Sequence, residues 1–384
     1  MKRRKLFFIA IFLLLVVFLM SNCGNQVQKM ETSMNNSNKN QPTELLLPAP
    51  LFFLENGQIW QLNKDGKSSI QVTNEADPII EFDLSVKGDR LVYVSGNQLI
   101  FNHIDSLDRK IIQQSQTLVN HMDQLEIMND ESLIKNAIRS PLISADGSKI
   151  AFVENGLRLK NVENETSNLI WENSSDDQDI IYRLLSWSPD EKNYLVTKYV
   201  QPLQSIYQQS IGLVNNEIFV TLPISSADGF AWYAGGQALI LSNSKAGHPG
   251  SLMRCELEEF KCVEIAEFEP ARWYYFYAVP TVVNNSSIHV FMAAASDPTL
   301  IPDTYKLIRV NLDGSNRQEL ISGEFPVEIG LWTSDGNGVV IQLSKTYQIY
   351  PAGAVLWVDL VQKKIYELPI TNVTQMKWGV SEEK

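Results

Sequence analysis

Three cysteines and four histidines are all that 384 residues offer as ligands for a soft or borderline metal. His103, His121, His248 and His289 lie far apart, with no H-x-x-x-H pair and no Cys/His pairing, so the ligand spacing of a zinc site is missing. Also missing are a Gly-rich phosphate loop and a G-x-S-x-G nucleophile elbow. No metal, no cofactor and no set of catalytic residues is therefore expected. Positive charge is scarce as well: 32 Lys and Arg stand against 44 Asp and Glu, a net charge of −12. A surface of that sign disfavours nucleic acid and anionic lipid headgroups as partners of the folded part. Long apolar runs are lacking too, and even Leu6 to Met20 is short for a membrane-spanning helix.

That run has a different use. Lys2, Arg3, Arg4 and Lys5 precede it and Ser21-Asn22-Cys23 follows, the layout of a secretory signal with a cysteine at its cleavage site. The segment resembles a lipobox, with Leu19 and Ser21 well suited and Asn22 atypical, which makes Cys23 the candidate for lipidation. A retained N-terminal anchor helix is the alternative. Loss of the four basic residues would leave 28 against 44 acidic ones, a net charge of −16. Residues 1–23 are thus read as a lipoprotein-type signal peptide and 24–48, rich in Asn, Gln, Ser and Lys, as a flexible tether. Residues 49–384 remain for one folded domain, exported and membrane-anchored on the extracytoplasmic side, at the cell surface or in a periplasm.

Within that domain one layout recurs. Ser140 to Glu172 opens with a strand entering at Pro141 and a turn at Ser144-Ala145-Asp146-Gly147. Lys149 to Val153, the alternating Leu157 to Val162 and Thr166 to Trp171 then follow as strands. Comparable turns stand at Ser85-Val86-Lys87-Gly88, Ser188-Pro189-Asp190-Glu191, Tyr233-Ala234-Gly235-Gly236, Val283-Asn284-Asn285-Ser286 and Ser334-Asp335-Gly336, each ahead of an apolar strand. Turn-to-turn spacing is about 44 to 51 residues, except for one gap of about 59, within the period of propeller repeats. Four short antiparallel strands cannot cover both of their faces alone, so copies must stack. Leu51–Leu54, Gln58–Leu62 and Ser69–Val72 read as a unit without its first strand, while Asn372–Trp378 is one strand too many. Pairing the two would close a ring and remove exposed edges. The expectation is an all-β fold: a β-propeller of four-stranded antiparallel blades, seven in number, closed by the C-terminal strand joining the N-terminal blade.

The segments NKDGKS (63 to 68), NLDGSN (311 to 316), SADGSKIAF (144 to 152) and LSWSPDEKNYLV (185 to 196) resemble the degenerate TolB-like, WD-type propeller repeats of exported bacterial proteins. The resemblance spans roughly residues 50 to 380 and implies a fold more than an activity. Six blades and an additional N-terminal domain, which the TolB family has, do not match the seven units counted here.

Cys255 and Cys262 flank Glu256 to Lys261 within one unit. They face each other if Glu258-Glu259 form the turn, and a bridge there would add roughly 2 to 3 kcal/mol in the chain-entropy view. Glu-Glu is a poor hairpin turn and that register places the pair at a hydrogen-bonded site, so a disulfide and two free structural thiols both remain open. Trp187, Trp232, Trp332 and Trp378 end first strands and read as packing residues. Arg272 to Tyr277 enters another first strand, either filling gaps between blades or offering rings for stacking.

The connections between second and third strands, and those between units, are the long ones: Tyr199 to Tyr207, Asn243 to Gly250, Ser296 to Thr304, Lys345 to Gly353 and Ser115 to Asn136. Loops carried by a rigid scaffold are where binding residues gather. Tyr199, Tyr207, His248, Asp297, Asp303, Tyr347 and Tyr350 are the candidate contacts on that face. The expected function is a lipid-anchored binding or scaffold module for a protein, peptide or glycan. The alternatives are an exported glycan hydrolase or lyase using channel carboxylates such as Glu81, Asp83 and Glu328, and an envelope structural component.

Overall fold

The repeated turn is a self-contained hydrogen-bonding unit, and Ser144 shows how it is built. In the computed structural model of the chain, the Ser144 hydroxyl donates to Asp146 Oδ1 at 2.7 Å and accepts the Lys149 N–H at 2.9 Å. The Gly147 N–H donates back to the Ser144 carbonyl at 2.9 Å, with Gly147 at φ 73°, where a side chain would be strained. Ser188 with Asp190 and Asn193 makes the same closure, as does Thr333 with Asp335 and Gly338. The expected turn at Ser334 therefore begins one residue earlier, because the hydroxyl is what the geometry needs. At Ser85 the position of the aspartate is taken by Lys87, and Asp89 accepts the hydroxyl at 2.9 Å in its place.

The structure describes residues 46–380, apart from 107, 119–135, 173, 176–177, 201–208, 216–217, 223–228, 244–250, 266–273 and 296–302. Cys23, the signal segment and most of the tether lie outside the described residues. Leu47, assigned to the tether from sequence, is buried against the apolar layer of Leu51, Phe53 and Leu62. Among the described residues no helix is long and apolar enough to cross a membrane.

The strands of the described residues form seven antiparallel sheets, each a meander running outward from an inner strand. In chain order these inner strands are Ile79–Leu84, Arg139–Ile143, Gln178–Trp187, Gly229–Tyr233, Tyr274–Val283 and Val327–Trp332. The remaining inner strand, Gln375–Trp378, belongs to the sheet of Leu51–Glu55, Gln58–Leu62 and Ser69–Gln71, with Leu51 opposite Trp378 and Leu54 opposite Gln375. Six sheets have four strands. The sheet of Gln178–Trp187 carries a fifth, the two-residue Ser174–Ser175, paired to the start of its inner strand.

Apolar layers between neighbouring sheets hold the stack together. Phe52, Leu54 and Ile59 meet Phe82, Leu91 and Tyr93, while Leu142, Ala151 and Val153 meet Tyr182, Leu184 and Val196. Face-to-face packing of such four-stranded antiparallel meanders is the architecture of a β-propeller, in which each meander is a blade. The tryptophans ending the inner strands add a directional tie. Trp232 Nε1 donates to Ser186 Oγ at 2.9 Å, Trp332 Nε1 to the Val279 carbonyl at 2.7 Å and Trp378 Nε1 to the Trp332 carbonyl at 3.0 Å. Each ring fills a gap and ties its blade to the preceding inner strand. Trp187 instead packs on Tyr194, ring centroids 5.0 Å apart.

A disulfide joins Cys255 and Cys262. The last ladder pair is Glu256 opposite Lys261, which leaves Leu257 to Phe260 as a four-residue turn instead of the two-residue one expected. That shift moves the cysteines to a close pair with a Cα–Cα distance of 4.0 Å, resolving the objection raised by the shorter turn.

Candidate functional site

Except at the start of Gln178–Trp187, the axial edge of an inner strand has no ladder partner among the described residues, and five of these strands break register. The irregularities fall at Ile79/Glu81, Arg139/Leu142, Leu184/Ser186, Ala278/Thr281 and Val327/Ile329. A bulge adds a residue to one strand and re-aims its side chain. The added residues are Ile80, Ser140-Pro141, Leu185, Val279-Pro280 and Glu328. Ser140 and Val279 both precede proline and both hold a positive φ, 49° and 46°, a costly backbone state for such residues.

Ile80, Pro141 and Leu185, with Phe230 of the next inner strand, form an apolar collar on a cavity of about 830 Å³. Its rim includes Asn56 and Gly57, which join a second strand to a third, and Pro78 and Asn372, which lie in links between blades. The cavity therefore opens on the face that carries the long loops.

Polar and charged side chains share this wall, and several of them also tie blades together. Gln375 donates from Nε2 to the Phe82 carbonyl at 2.7 Å and accepts the Phe82 N–H at 3.1 Å. Glu81 accepts the Ser140 N–H, while Asp83 accepts the Ile143 N–H at 3.0 Å and pairs with Lys377 Nζ at 2.9 Å. These carboxylates satisfy backbone donors of the adjacent inner strand that no ladder reaches. Burial pushes the Glu81 carboxyl up; the Ser140 N–H and the charges of Arg183 and Arg139 pull the other way without offsetting it. Arg139 is buried, and burial pushes it down to about 10 against the attraction of Glu81.

Of the carboxylates expected at the channel, Glu81 lines the cavity and Asp83 is buried beside it. Glu328 is exposed, accepts a hydrogen bond from Gln342 Nε2 at 3.3 Å and is not part of the wall. Asp303 is exposed and ion-paired with Lys345. Tyr347 packs on Phe325 with centroids 5.0 Å apart, and its backbone exchanges hydrogen bonds of 2.9 and 2.8 Å with Tyr350. This tight tip presents Ile349, 85% exposed. None of Asp303, Tyr347 and Tyr350 lines the cavity. Tyr207, His248, Asp297 and the side chain of Tyr199 lie outside the described residues, as do the side chains of Arg272 to Tyr277. Among the described residues no group of His, Cys, Asp and Glu is placed to hold a metal ion.

Arg139, Arg183, Lys377 and the apolar collar went unread in the sequence. A signal was present: a cation inside an otherwise apolar first strand, as in Ile180-Ile181-Tyr182-Arg183-Leu184-Leu185.

No family model and no curated protein matches the chain. Among solved structures it is similar to an oligogalacturonate lyase from Vibrio parahaemolyticus, with 10% identity, 84% of this chain and 85% of that one covered, and a TM-score of 0.54. It is also similar to a chain assigned as TolB from Agrobacterium tumefaciens, at 13% identity over 72% of this chain and 88% of the other, TM-score 0.42. TolB from Acinetobacter baumannii matches at 15% identity over 72% and 64%, TM-score 0.41. At such identity the likeness to the lyase is one of fold.

Proposed function

We propose that the chain is an exported binding propeller, held to a membrane by lipid on Cys23, whose channel mouth takes a segment of a protein, peptide or glycan partner. The observation that carries this reading is the collared cavity of about 830 Å³ on the long-loop face. A concave wall that joins an apolar collar to placed polar groups such as Glu81, Arg183 and Gln375 is the usual form of a ligand site. Asp303, Tyr347 and Tyr350, with Tyr199, Tyr207, His248 and Asp297, are outer contacts in this reading, not the floor of the site. A closed ring of seven blades belongs to it too, supported by the pairing of Leu51–Glu55 with Gln375–Trp378 and by the packing of Val340 and Trp357 on Leu51 and Met376.

Glu81 supports a second reading, an exported glycan hydrolase or lyase, because a buried carboxyl with a raised pKa suits proton donation. Its neighbour Asp83 is occupied by Lys377 and a backbone N–H, which favours binding over catalysis. The test is site-specific photocrosslinking in cells, with the reactive residue at Ile80 or Leu185 and, as control, at Ile111 on an outer strand. Adducts at the cavity positions and none at Ile111 are expected; equal labelling at all three would remove the cavity as the binding site.

A further inference from the structure

Glu81 and Asp83 stand two residues apart on the inner strand Ile79–Leu84, which is regularly paired from Glu81 to Leu84, so both carboxylates leave the same face. The groups they hold on the next inner strand, the Ser140 and Ile143 N–H, are three residues apart. A regular strand repeats its edge N–H groups every second residue. The bulge supplies the extra one, because Arg139 faces Val153 while Leu142 faces Ala151, three steps against two. The two acids therefore grip the strand at each end of its bulge. Glu81 holds Ser140, at φ 49°, and between the grips lie Pro141 and Leu142, both on the cavity wall.

A second proline bulge supplies the contrast. Val279 also precedes proline, at φ 46°, and its strand gains one residue between Ala278 and Thr281. Its hold is different: Trp332 Nε1 donates to the Val279 carbonyl at 2.7 Å, and Gly229 lies so close that a side chain there would meet Val279 and Pro280. Neither Val279 nor Pro280 lines the cavity. A proline bulge thus persists without carboxylates, and the carboxylates occur where the bulge forms the wall.

We infer that Glu81 and Asp83 are positioning residues: together they set the register of the bulge and so aim Pro141 and Leu142 into the cavity, without having to touch the bound partner. The inference rests on the binding reading above and deepens it, since the reach of Glu81, not its charge, becomes the property that shapes the site. Lys377 holds Asp83 from the other side at 2.9 Å, which anchors the clamp to the strand Gln375–Trp378.

Two variants separate reach from charge. Glu81→Asp keeps the charge and is one methylene too short, whereas Glu81→Gln keeps the reach and loses the charge. Amide exchange of the full chain in detergent micelles, read by mass spectrometry at the Ser140 amide, is expected to be roughly tenfold faster in Glu81→Asp and unchanged in Glu81→Gln. The Val279 amide is the reference that neither variant should move. In cells, adducts from a photoreactive residue at Leu185 should be lost with Glu81→Asp and kept with Glu81→Gln. Unchanged exchange at Ser140 in Glu81→Asp would overturn the clamp. Faster exchange with the adducts intact would overturn its positioning role and leave the binding reading standing. Absence of adducts in the wild-type chain would instead remove the binding reading, while the exchange rates still decide the clamp. Should Glu81→Asp not fold, Glu81→Gln decides alone, because loss of Ser140 protection or of adducts in that variant sinks the inference.

Discussion

The two ends of the same inner strands follow opposite rules. At the turn end, Ser144, Ser188 and Thr333 repeat one hydrogen-bonding pattern, and Trp232, Trp332 and Trp378 repeat one tie to the blade before. At the channel end, bulges differ from blade to blade and bring up isoleucine, proline, leucine or glutamate in turn. Repetition marks a device that every blade needs in order to fold. Variation, together with buried charge and strained backbone at Ser140, marks where the stack departs from its own rule, and such departures concentrate at functional sites.

The contrast is easiest to break at Trp332. Its ring is buried among Phe291, Val339 and Leu356, so Trp332→Ala should cost about 3 to 5 kcal/mol, read as a lower urea midpoint at unchanged slope. A loss under about 1 kcal/mol would show that the turn end is not the structural half.

His289 sharpens the same side. It is buried beside Trp332 and under Gly336, and burial, with the charge of Arg309, pushes its pKa down to about 4. A folded pKa below the unfolded one means that stability is complete above about pH 6.5 and is lost as pH falls toward 4. The loss amounts to about 3 kcal/mol, because each tenfold weakening of proton affinity on folding is worth about 1.4 kcal/mol. Urea midpoints between about pH 7 and pH 4 should follow this limb, and His289→Leu should flatten it. The turn aspartates act lower down: backbone N–H groups of Ser68 and Ser148 hold Asp65 and Asp146 at about 2, so their share disappears only below about pH 4. An unchanged limb in the leucine variant would remove His289 as its source.

The smallest effect carries the opposite sign. Burial raises the folded pKa of Glu81, so wild-type stability from this group is present below about pH 4.5 and lost as pH rises through the folded value. Glu81→Gln keeps an acceptor for the Ser140 N–H and removes the buried charge. Its melting temperature should match wild type near about pH 4 and exceed it slightly at about pH 7. A variant less stable than wild type at neutral pH would make Glu81 one more structural tie.

Much of the architecture was legible because its signals are local. Hydroxyl, aspartate and glycine at fixed offsets specify the turn whatever lies beyond it, and apolar alternation fixes which strands follow. The stray strand around Trp378 could be matched to Phe52 by counting alone. Cys255 faces Cys262 as the spacing implies, but the turn between them has four residues and not two, since the two turns differ in backbone torsions that Glu258 and Glu259 do not dictate. Loop length marks the face on which the cavity opens, but it says nothing of what each loop residue touches: Tyr347 packs on Phe325, and Asp303 pairs with Lys345.

What the sequence decided by itself is the repeating unit, because turn chemistry and strand period act over a few residues. What only the assembled molecule decided is the channel. Ile80, Pro141, Leu185 and Phe230 are separated by 150 residues of chain, and Glu81 meets Arg183 only once three blades stand side by side. Nothing in any one strand encodes the charge of that cavity, for it is the sum of side chains whose neighbours come from other blades and whose ionisation depends on how far the fold has removed them from water.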